Sequence, residues 1–311
     1  MKVCVMGLGK VGLPVANHVS RYFPTVGYDI SEKAAARASE KGVKASTVLE
    51  SADVYVVAVN TWFKNNTPDM SAVDDCCCKI GQVNPNALVC IESTLSVGTA
   101  RKMAWKYGLR YVAVCPHRWW EEDQKNHGVK QLRVIGALDA ESMKKARGFY
   151  QTIEVPLHGL SCLEVAEATK IAENAHRYIQ IAYAEELKLI AEKIGLDFEE
   201  WRTAMNTKWN VALPEAREGI GKECLPKDIA YLAALDPNAT LVRGAIEAND
   251  DYVRSMRGFA QQLSERYLVS VDSRPEIARA RSGLSLKQSL LRSSKRARLI
   301  HALLHLLQQS Q

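Results

Sequence analysis

The stretch MKVCVMGLGKVGLPVA, Met1–Ala16, decides the fold that this sequence predicts. An apolar run leads into a turn in which Gly7, Gly9 and Gly12 have the spacing G-x-G-x-x-G, and a helical pattern follows. In such a turn the first glycine permits a tight bend, the second lets a pyrophosphate approach the backbone, and the third packs helix against strand. The helix N-terminus attracts the phosphate charge. The stretch therefore predicts a dinucleotide site.

An acidic residue after the second strand completes this prediction. Asp29 lies in the apolar run Thr25–Ile30, within the expected reach of the ribose hydroxyls. A carboxylate accepts hydrogen bonds from a free 2′-hydroxyl and repels a 2′-phosphate, so Asp29 favours NAD over NADP, although Lys33 could soften that preference. The further cofactor residues that we expect are Lys10 and Val11 in the turn, and Thr61, Ser93 and Thr94 after later strands.

Apolar runs of strand length alternate with helical patterns through the first half of the chain. This alternation is typical of an α/β fold with a doubly wound parallel sheet. We therefore predict a Rossmann-like N-terminal domain over residues 1–160. Its expected strands are Lys2–Met6, Thr25–Ile30, Val54–Asn60, Ala87–Ile91, Arg110–Cys115 and Leu132–Gly136.

The pattern becomes helical after Pro156. Leu163–Ile194 contains good helix formers with no glycine or proline, and Gly195 ends it. At a rise of about 1.5 Å per residue this helix approaches roughly 50 Å. Its apolar stripes lie on more than one side, which predicts a homodimer through the long helix. We expect an all-helical central and dimerisation domain over residues 161–267 and a basic, leucine-rich tail over 268–311.

Composition excludes several classes of protein. The chain has 311 residues, of which 47% are hydrophobic and 24% charged, as in ordinary soluble globular proteins. No apolar run approaches the roughly 20 residues of a membrane span, and the N-terminus resembles a strand more than a signal peptide, so we expect a cytoplasmic protein. The net charge of +6 comes from the tail, and we expect no nucleic-acid partner. Eight cysteines lack paired C-x-x-C spacing, so no metal site is predicted.

Three segments carry candidate chemistry. They are ECLPKD with Cys224, Lys227 and Asp228; TKIAENAHR with Lys170 and Asn174; and IESTLSVGT with Glu92, Ser93 and Thr94. Lys170 and Asn174 are at i and i+4, so both project from one helix face. Taken singly, a cysteine is more often a core residue and a helix lysine is usually solvated. Their joint occurrence favours a catalytic site.

These motifs together resemble the UDP-glucose/GDP-mannose dehydrogenase family. The resemblance runs from Met1 to about Tyr267 and includes the glycine turn, the EST…GT loop, AEATKIAEN and the GxGxxCxPKD-like loop before Asp228. It implies a UDP-sugar 6-dehydrogenase, of UDP-glucose or UDP-N-acetylmannosamine type, that oxidises a primary alcohol to a carboxylate with two NAD. It also implies a place in a pathway that supplies capsule, wall or glycan synthesis.

The resemblance also implies roles for particular residues. Cys224 would trap the intermediate aldehyde as a thiohemiacetal, which is oxidised to a thioester and then hydrolysed. Lys170 would help to deprotonate the alcohol and, with Asn174, stabilise the developing alkoxide. Asp228 would assist proton transfer with a water that Thr94 holds.

The sequence departs from the family pattern in two motifs. The family has a Pro-Glu motif after the fifth strand, and His117 of CPHRWWEED stands in the glutamate position. A neutral histidine is a competent base near pH 7, so we expect His117 to replace that carboxylate, with Glu121 and Glu122 as alternatives. In the cysteine loop, Lys222 and Glu223 precede Cys224 where a second glycine is usual, and a positive φ at Lys222 would strain the backbone.

A further departure is the expected lack of a C-terminal α/β domain that binds the nucleotide part of the substrate. Without it, remote binding energy that orients the sugar would be reduced. Two alternatives therefore stay open. One is a hydroxyacid-type dehydrogenase that makes a single hydride transfer with Lys170. The other is a non-catalytic nucleotide binder, suggested by the altered positions His117 and Lys222.

Overall fold

The computed structural model describes residues 1–221 and 224–272 of the chain. Lys222 and Glu223 lie outside the described residues, as does the predicted tail from residue 273 onward. The described chain divides into two compact units. The first contains Met1–Tyr178 and residues 224–242, and the second contains Ile179–Gly221 and the described residues from Arg243 onward. The domain boundaries at 160 and 267 therefore stay predictions.

Within the described residues of the first unit, eight strands form one sheet and two form a separate hairpin. The strands are β1 (Val3–Met6), β2 (Thr25–Tyr28), β3 (Ala45–Ser46), β4 (Val54–Val57), β5 (Trp62–Lys64), β6 (Thr67–Asp69), β7 (Leu88–Ile91), β8 (Tyr111–Val114), β9 (Arg133–Ala137) and β10 (Leu157–Gly159). The order across the sheet is β10-β9-β8-β7-β4-β1-β2-β3, and the hairpin pairs β5 with β6.

Ten helices accompany these strands in the described part of the chain. They are α1 (Gly12–Val19), α2 (Glu32–Glu40), α3 (Ser71–Val83), α4 (Thr99–Tyr107), α5 (Gln124–His127), α6 (Ala140–Thr152), α7 (Leu163–Ile194), α8 (Phe198–Met205), α9 (Cys224–Leu235) and α10 (Thr240–Asp272). The predicted long helix is α7, with the predicted bounds. The expected fold class, a Rossmann-like sheet followed by a helical region with one long helix, is confirmed.

The central strands are apolar throughout because both faces of the sheet are covered. In β4, Val54 and Val56 pack on one face with residues of α1 and α6, while Tyr55 and Val57 pack on the other with residues of α3 and α4. Successive side chains of a strand point to opposite faces, so a strand covered on both sides needs apolar residues at every position. The topological switch lies between β1 and β4, where a doubly wound sheet opens its ligand crevice.

One strand runs against the expected direction. β9 pairs antiparallel with β8, with Val114 opposite Gly136, whereas the sequence predicted a parallel strand at this position. The segment between β8 and β9 contains only a 3-10 turn at Glu121–Asp123 and the one-turn helix α5, so it returns to the edge at which β8 ended. A parallel return needs a long crossover to the opposite edge. The residues that follow β8, among them His117, therefore lie beside Arg133 at the start of β9.

The second unit is helical over its described residues. Its core contains Ala184, Leu187 and Ala191 of α7 with Phe198 and Leu213. The Asn249 side chain of α10 accepts a hydrogen bond from the Ile220 backbone N–H at 2.7 Å, which holds the segment around Gly219. Gly219 has φ of +89°, a conformation that favours glycine.

No described helix of the chain combines the length and apolar content that a membrane span requires.

Two carboxylates of α7 have opposite electrostatic surroundings. Glu167 is 1% exposed and accepts hydrogen bonds from the backbone N–H groups of Gly98 and Ala100, at 2.6 and 2.8 Å, at the start of α4. Burial nevertheless raises the pKa of Glu167 from 4.5 to about 7. Glu164 pairs with Arg101 at 2.5 Å, which lowers the pKa of Glu164 to about 2.

These shifts predict a pH dependence of stability with a definite sign. Between pH 4.5 and about 7 the folded protein holds a proton on Glu167 that the unfolded chain releases, so this group's contribution to the free energy of unfolding falls as pH rises. We expect the destabilisation caused by Glu167→Gln to shrink from about pH 5 to about pH 7.5 in urea unfolding.

Glu164→Gln is the matched control. Its contribution is present above pH 4.5 and is lost only as pH falls toward about 2, so its effect should be constant over the same range. A pH-independent effect of Glu167→Gln would contradict the raised pKa of Glu167.

Candidate active site

The turn between β1 and α1 requires glycine at two positions. Gly7 has φ of +90° and donates its N–H to the Tyr28 carbonyl at 2.8 Å, and a Cβ there would lie 2.6 Å from the Ala58 carbonyl oxygen. A Cβ on Gly12 would lie 1.8 Å from the Gly7 carbonyl oxygen. Any side chain at either position would push strand and helix apart.

Gly9 differs from Gly7 and Gly12, because the space beside it is open and could receive a ligand. No described atom lies within 4 Å of the position that a Cβ on Gly9 would take. α1 begins three residues later, and no described side chain caps its N-terminus. Lys10 is exposed and Val11 partly exposed beside this space. Uncapped N–H groups and open space above a glycine suit the pyrophosphate of a dinucleotide.

Asp29 stands at the end of β2, where it was expected, and it is also bound to the glycine turn. One carboxylate oxygen accepts from the Leu8 N–H at 2.7 Å and the other from the Ser31 N–H at 2.9 Å. The Arg37 guanidinium donates to the Leu8 carbonyl at 3.0 Å. The carboxylate is thereby held beside the phosphate turn, at the place where a doubly wound sheet binds ribose.

Hydroxyl groups join the loops that follow β4 and β7 at the other side of the crevice. Thr61 donates to the Thr94 carbonyl at 2.8 Å, and Ser93 donates to the Val59 carbonyl at 2.7 Å. Thr61 and Ser93 are buried, whereas Thr94 is partly exposed. These two hydrogen bonds therefore hold the loops after β4 and β7 together as one wall of the crevice.

The cysteine segment begins α9. Cys224 is its first residue and is exposed, while Asp228, one turn later, is 1% exposed. One oxygen of Asp228 accepts from the Asn174 side-chain amide at 2.5 Å, and the other lies 3.1 Å from the Lys227 ammonium nitrogen. A buried carboxylate needs such partners, so Asp228 fastens α9 to α7.

Lys227 extends this connection to the crevice wall. Its ammonium group donates to the Thr61 hydroxyl at 3.1 Å and lies 5.0 Å from the centre of the Tyr231 ring. The Tyr231 hydroxyl donates to the Trp62 carbonyl at 2.8 Å. The helix that carries Cys224 is thus fixed to the segment that leaves β4, beside the predicted cofactor site.

Lys170 lies one turn before Asn174 on α7 and is partly buried. Burial lowers the pKa of Lys170, while the negative charges of Asp228, Glu173 and a Cys224 thiolate act in the opposite direction. A lysine with a lowered pKa more readily supplies the neutral amine that general-base catalysis needs. Lys170 is thus partly withdrawn from solvent and close to several charged groups, and its role as a base stays a prediction.

A buried polar network lies where β7 and β8 end and β9 begins. Glu92 accepts from the Tyr150 hydroxyl at 2.9 Å, and the same oxygen lies 2.8 Å from a guanidinium nitrogen of Arg133. The second guanidinium nitrogen lies 2.9 Å from Nε2 of His117 and donates to the Val129 carbonyl at 2.9 Å. Glu92, Arg133 and Tyr150 are almost fully buried.

His117 therefore has surroundings different from those that the sequence suggested. Its side chain is 4% exposed, and burial followed by the charges of Arg133 and Lys170 holds its pKa well below the usual value. The neighbouring Arg118 forms an ion pair with Glu173 of α7, one turn after Lys170. The segment containing His117 is thus attached to the turn of α7 that carries Lys170.

The structure brings most of the predicted residues into two groups within the first unit. One joins Cys224, Asp228, Asn174 and Thr61 through hydrogen bonds and helix α9, and the other surrounds the glycine turn. The roles of all these residues stay predictions. The sequence analysis missed Arg133 and Tyr150, and it did not anticipate that Lys227 binds Thr61. A signal for Arg133 was present, because LRVIGA contains a cation in an otherwise apolar strand.

Two family models match the chain. Residues 33–154 match the NAD binding domain of the UDP-glucose/GDP-mannose dehydrogenase family, and residues 164–251 match its central domain. The match to the NAD binding domain agrees with the predicted cofactor.

Individual relatives are similar enzymes of the same family. A UDP-N-acetyl-D-mannosamine dehydrogenase of Methanocaldococcus jannaschii is 30% identical over 80% of this chain and 65% of its own, so this chain spans less than two thirds of that relative. The enzyme of the same name from Escherichia coli (strain K12) is 30% identical over 80% of this chain and 69% of its own. The solved UDP-D-ManNAc dehydrogenase of Pyrococcus horikoshii has 27% identity and a TM-score of 0.74, over 88% of this chain and 73% of that chain.

The different surroundings of the glycines predict different effects of alanine. Gly9→Ala should fold normally, because its Cβ meets no described atom within 4 Å, but the methyl group occupies the space of the pyrophosphate. We expect NAD affinity to fall by a factor on the order of 10 or more, measured by isothermal titration calorimetry, with an unchanged melting temperature.

Two further glycine variants serve as controls for this experiment. Gly148→Ala, at an equally open position inside α6, should leave NAD affinity unchanged and raise the melting temperature slightly, because alanine favours a helix more than glycine does. Gly12→Ala should fail to fold because its Cβ overlaps the Gly7 carbonyl. Unchanged NAD binding by Gly9→Ala would mean that the pyrophosphate does not pass over this turn.

Proposed function

The chain belongs to the UDP-glucose/GDP-mannose dehydrogenase family, and we propose that it oxidises the 6-hydroxyl of a nucleotide sugar to a carboxylate with NAD. The single observation that carries this proposal is the attachment of the Cys224 helix to α7 and to the crevice wall. Asp228 binds Asn174, and Lys227 binds Thr61. These contacts support a site in which the exposed thiol of Cys224 acts together with Lys170 beside the cofactor crevice.

The proposed reaction begins at the alcohol. Lys170, as a neutral amine, accepts the hydroxyl proton, and the Asn174 amide, which keeps one hydrogen free after binding Asp228, donates to the same oxygen. NAD, when bound over the glycine turn, supplies the hydride acceptor for both oxidation steps. The residues at the turn fit it, since Gly9 is open and Asp29 is held at the ribose position.

Cys224 acts at the aldehyde stage. Its sulfur bonds to the aldehyde carbon, the carbonyl oxygen takes up a proton, and oxidation of this thiohemiacetal leaves a thioester. Water then attacks the thioester carbon and the carbon–sulfur bond breaks, with Asp228 assisting proton transfer to the thiolate and Thr94 holding the water. Overall, one alcohol, one water and two NAD give one carboxylate, two NADH and three protons.

The substrate that we propose is UDP-N-acetylmannosamine. It is favoured over UDP-glucose and GDP-mannose because relatives named for it match at 30% identity over 80% of this chain. Recording NADH absorbance across these three nucleotide sugars tests the choice. A cytoplasmic location remains a prediction.

Cys224→Ala tests the covalent mechanism. Without the thiol, turnover to the acid should fall by a factor on the order of 10³ or more, and no sugar adduct should appear in the intact mass of the protein. Cys162→Ala, another thiol that is not fully buried, is the matched control and should keep full turnover.

Other results would favour the alternatives. Full turnover to acid by Cys224→Ala would leave Lys170 as the main reactive group, as in a single-step hydroxyacid-type dehydrogenase. Tight binding of NAD and nucleotide sugars by the parent protein without NADH formation would favour a non-catalytic binder.

We also propose a homodimer through α7. Support comes from apolar side chains exposed on one face of its second half, since Tyr183, Ile190 and Ile194 are 49%, 41% and 58% exposed. These positions recur at helical spacing and form a stripe that a second copy would cover. The chain should sediment as a dimer at micromolar concentration, and Ile190→Glu should convert it to a monomer, whereas Lys193→Glu should not. Sedimentation of the unmodified chain as a monomer would contradict the dimer.

A further inference from the structure

The contacts of His117 determine which ring nitrogen carries its proton. Nε2 lies 2.9 Å from a guanidinium nitrogen of Arg133. Arginine has only donors and stays protonated, so Nε2 must be the acceptor of this hydrogen bond. Glu92, the other charged neighbour, lies at 3.7 Å from Nε2, beyond hydrogen-bond distance, and its other carboxylate oxygen is occupied by Arg133 and Tyr150.

The ring is also neutral. It is 4% exposed and faces the fixed positive charge of Arg133, with Lys170 near enough to affect it, and these conditions lower the pKa of His117. A neutral imidazole whose Nε2 is an acceptor carries its single proton on Nδ1. Nδ1 is buried and has no hydrogen-bond partner within the described part of the chain.

An unpartnered buried donor is costly, so it requires an acceptor that the described residues do not supply. The neighbouring Trp119 provides a second case, because its indole N–H is buried without a partner among residues 1–221 and 224–272, and its ring centre lies 6.0 Å from that of His117. The ion pair of Arg118 with Glu173 attaches this segment to the Lys170 turn of α7. The donors and the amine therefore belong to one neighbourhood.

We propose that His117 is a hydrogen-bond donor, through Nδ1, to the oxygen on the reacting carbon of the substrate, and that it is not a base. This inference rests on the proposed function. The same oxygen gains negative charge when the alcohol is deprotonated and when sulfur or water adds to the carbon, so a fixed N–H group stabilises each of these steps. Arg133, held by Glu92, fixes the tautomer. The base for the hydrolytic water is then Asp228.

The tautomer is measurable without any activity. The full chain labelled with ¹⁵N at its seven histidines gives two-bond ¹H–¹⁵N correlations that distinguish Nδ1–H, Nε2–H and doubly protonated rings, and His117→Gln identifies the signals of His117. We expect an Nδ1–H ring from about pH 6 to about pH 8. An Nε2–H ring or an imidazolium would overturn the proposal.

Two substitutions then separate donor from base. Asparagine places an amide N–H donor close to the position of Nδ1 without a basic nitrogen, so His117→Asn should keep turnover within about tenfold, whereas His117→Leu should lose about 10²- to 10³-fold, already in the first oxidation step. His176→Asn, at an exposed position of α7, is the control and should keep full turnover. Melting temperatures verify that each variant folds.

The base hypothesis predicts a different pattern. His117→Asn and His117→Leu would then lose turnover equally, with the first oxidation intact and a sugar thioester accumulating on Cys224 in the intact mass, and this result would overturn the donor role. Absence of turnover by the parent chain with every nucleotide sugar would overturn the proposed function, while an Nδ1–H ring in the same protein would still establish the tautomer.

Discussion

The buried carboxylate of Asp228 is the constraint on which the candidate site depends. At 1% exposure its charge requires compensation, and one oxygen accepts a hydrogen bond from the Asn174 amide while the other lies 3.1 Å from the Lys227 ammonium nitrogen. Because Asn174 lies on α7 and Lys227 also binds Thr61, satisfying one charge fixes α9 against two other parts of the fold. Cys224, one turn earlier on the same helix, is positioned by this requirement.

A second buried ion pair organises the segment that contains His117. Glu92 and Arg133 form a fully buried ion pair that also involves Tyr150, and Arg133 continues to His117. Removing one member of such a pair leaves an uncompensated charge in a low-dielectric interior, which is strongly unfavourable. The same interaction leaves His117 neutral with a defined proton position, so a structural ion pair and a property of the candidate site have one physical cause.

Lys170 interacts electrostatically with Asp228 on one side and with His117 on the other. Asp228 and Glu173 favour its charged form, while burial favours the neutral amine, and its charge in turn disfavours protonation of His117. The ion pair between Arg118 and Glu173 ties the two sides together on one turn of α7. A long helix with Lys170, Glu173 and Asn174 on neighbouring positions is therefore the common support of the amine, the amide and the imidazole.

The sequence by itself determined the elements whose signals are local. The spacing of Gly7, Gly9 and Gly12 and the uninterrupted helical pattern of Leu163–Ile194 predicted the turn and the long helix, because φ preferences and periodicity act over a few residues. Only the tertiary structure decided that β9 runs antiparallel and that Arg133 meets Glu92 and His117, since these contacts join residues 16 and more positions apart. The proton position of His117 follows from its burial and from the guanidinium of Arg133, which only folding brings close to it. Neither property can be predicted from the local segment CPHRWW.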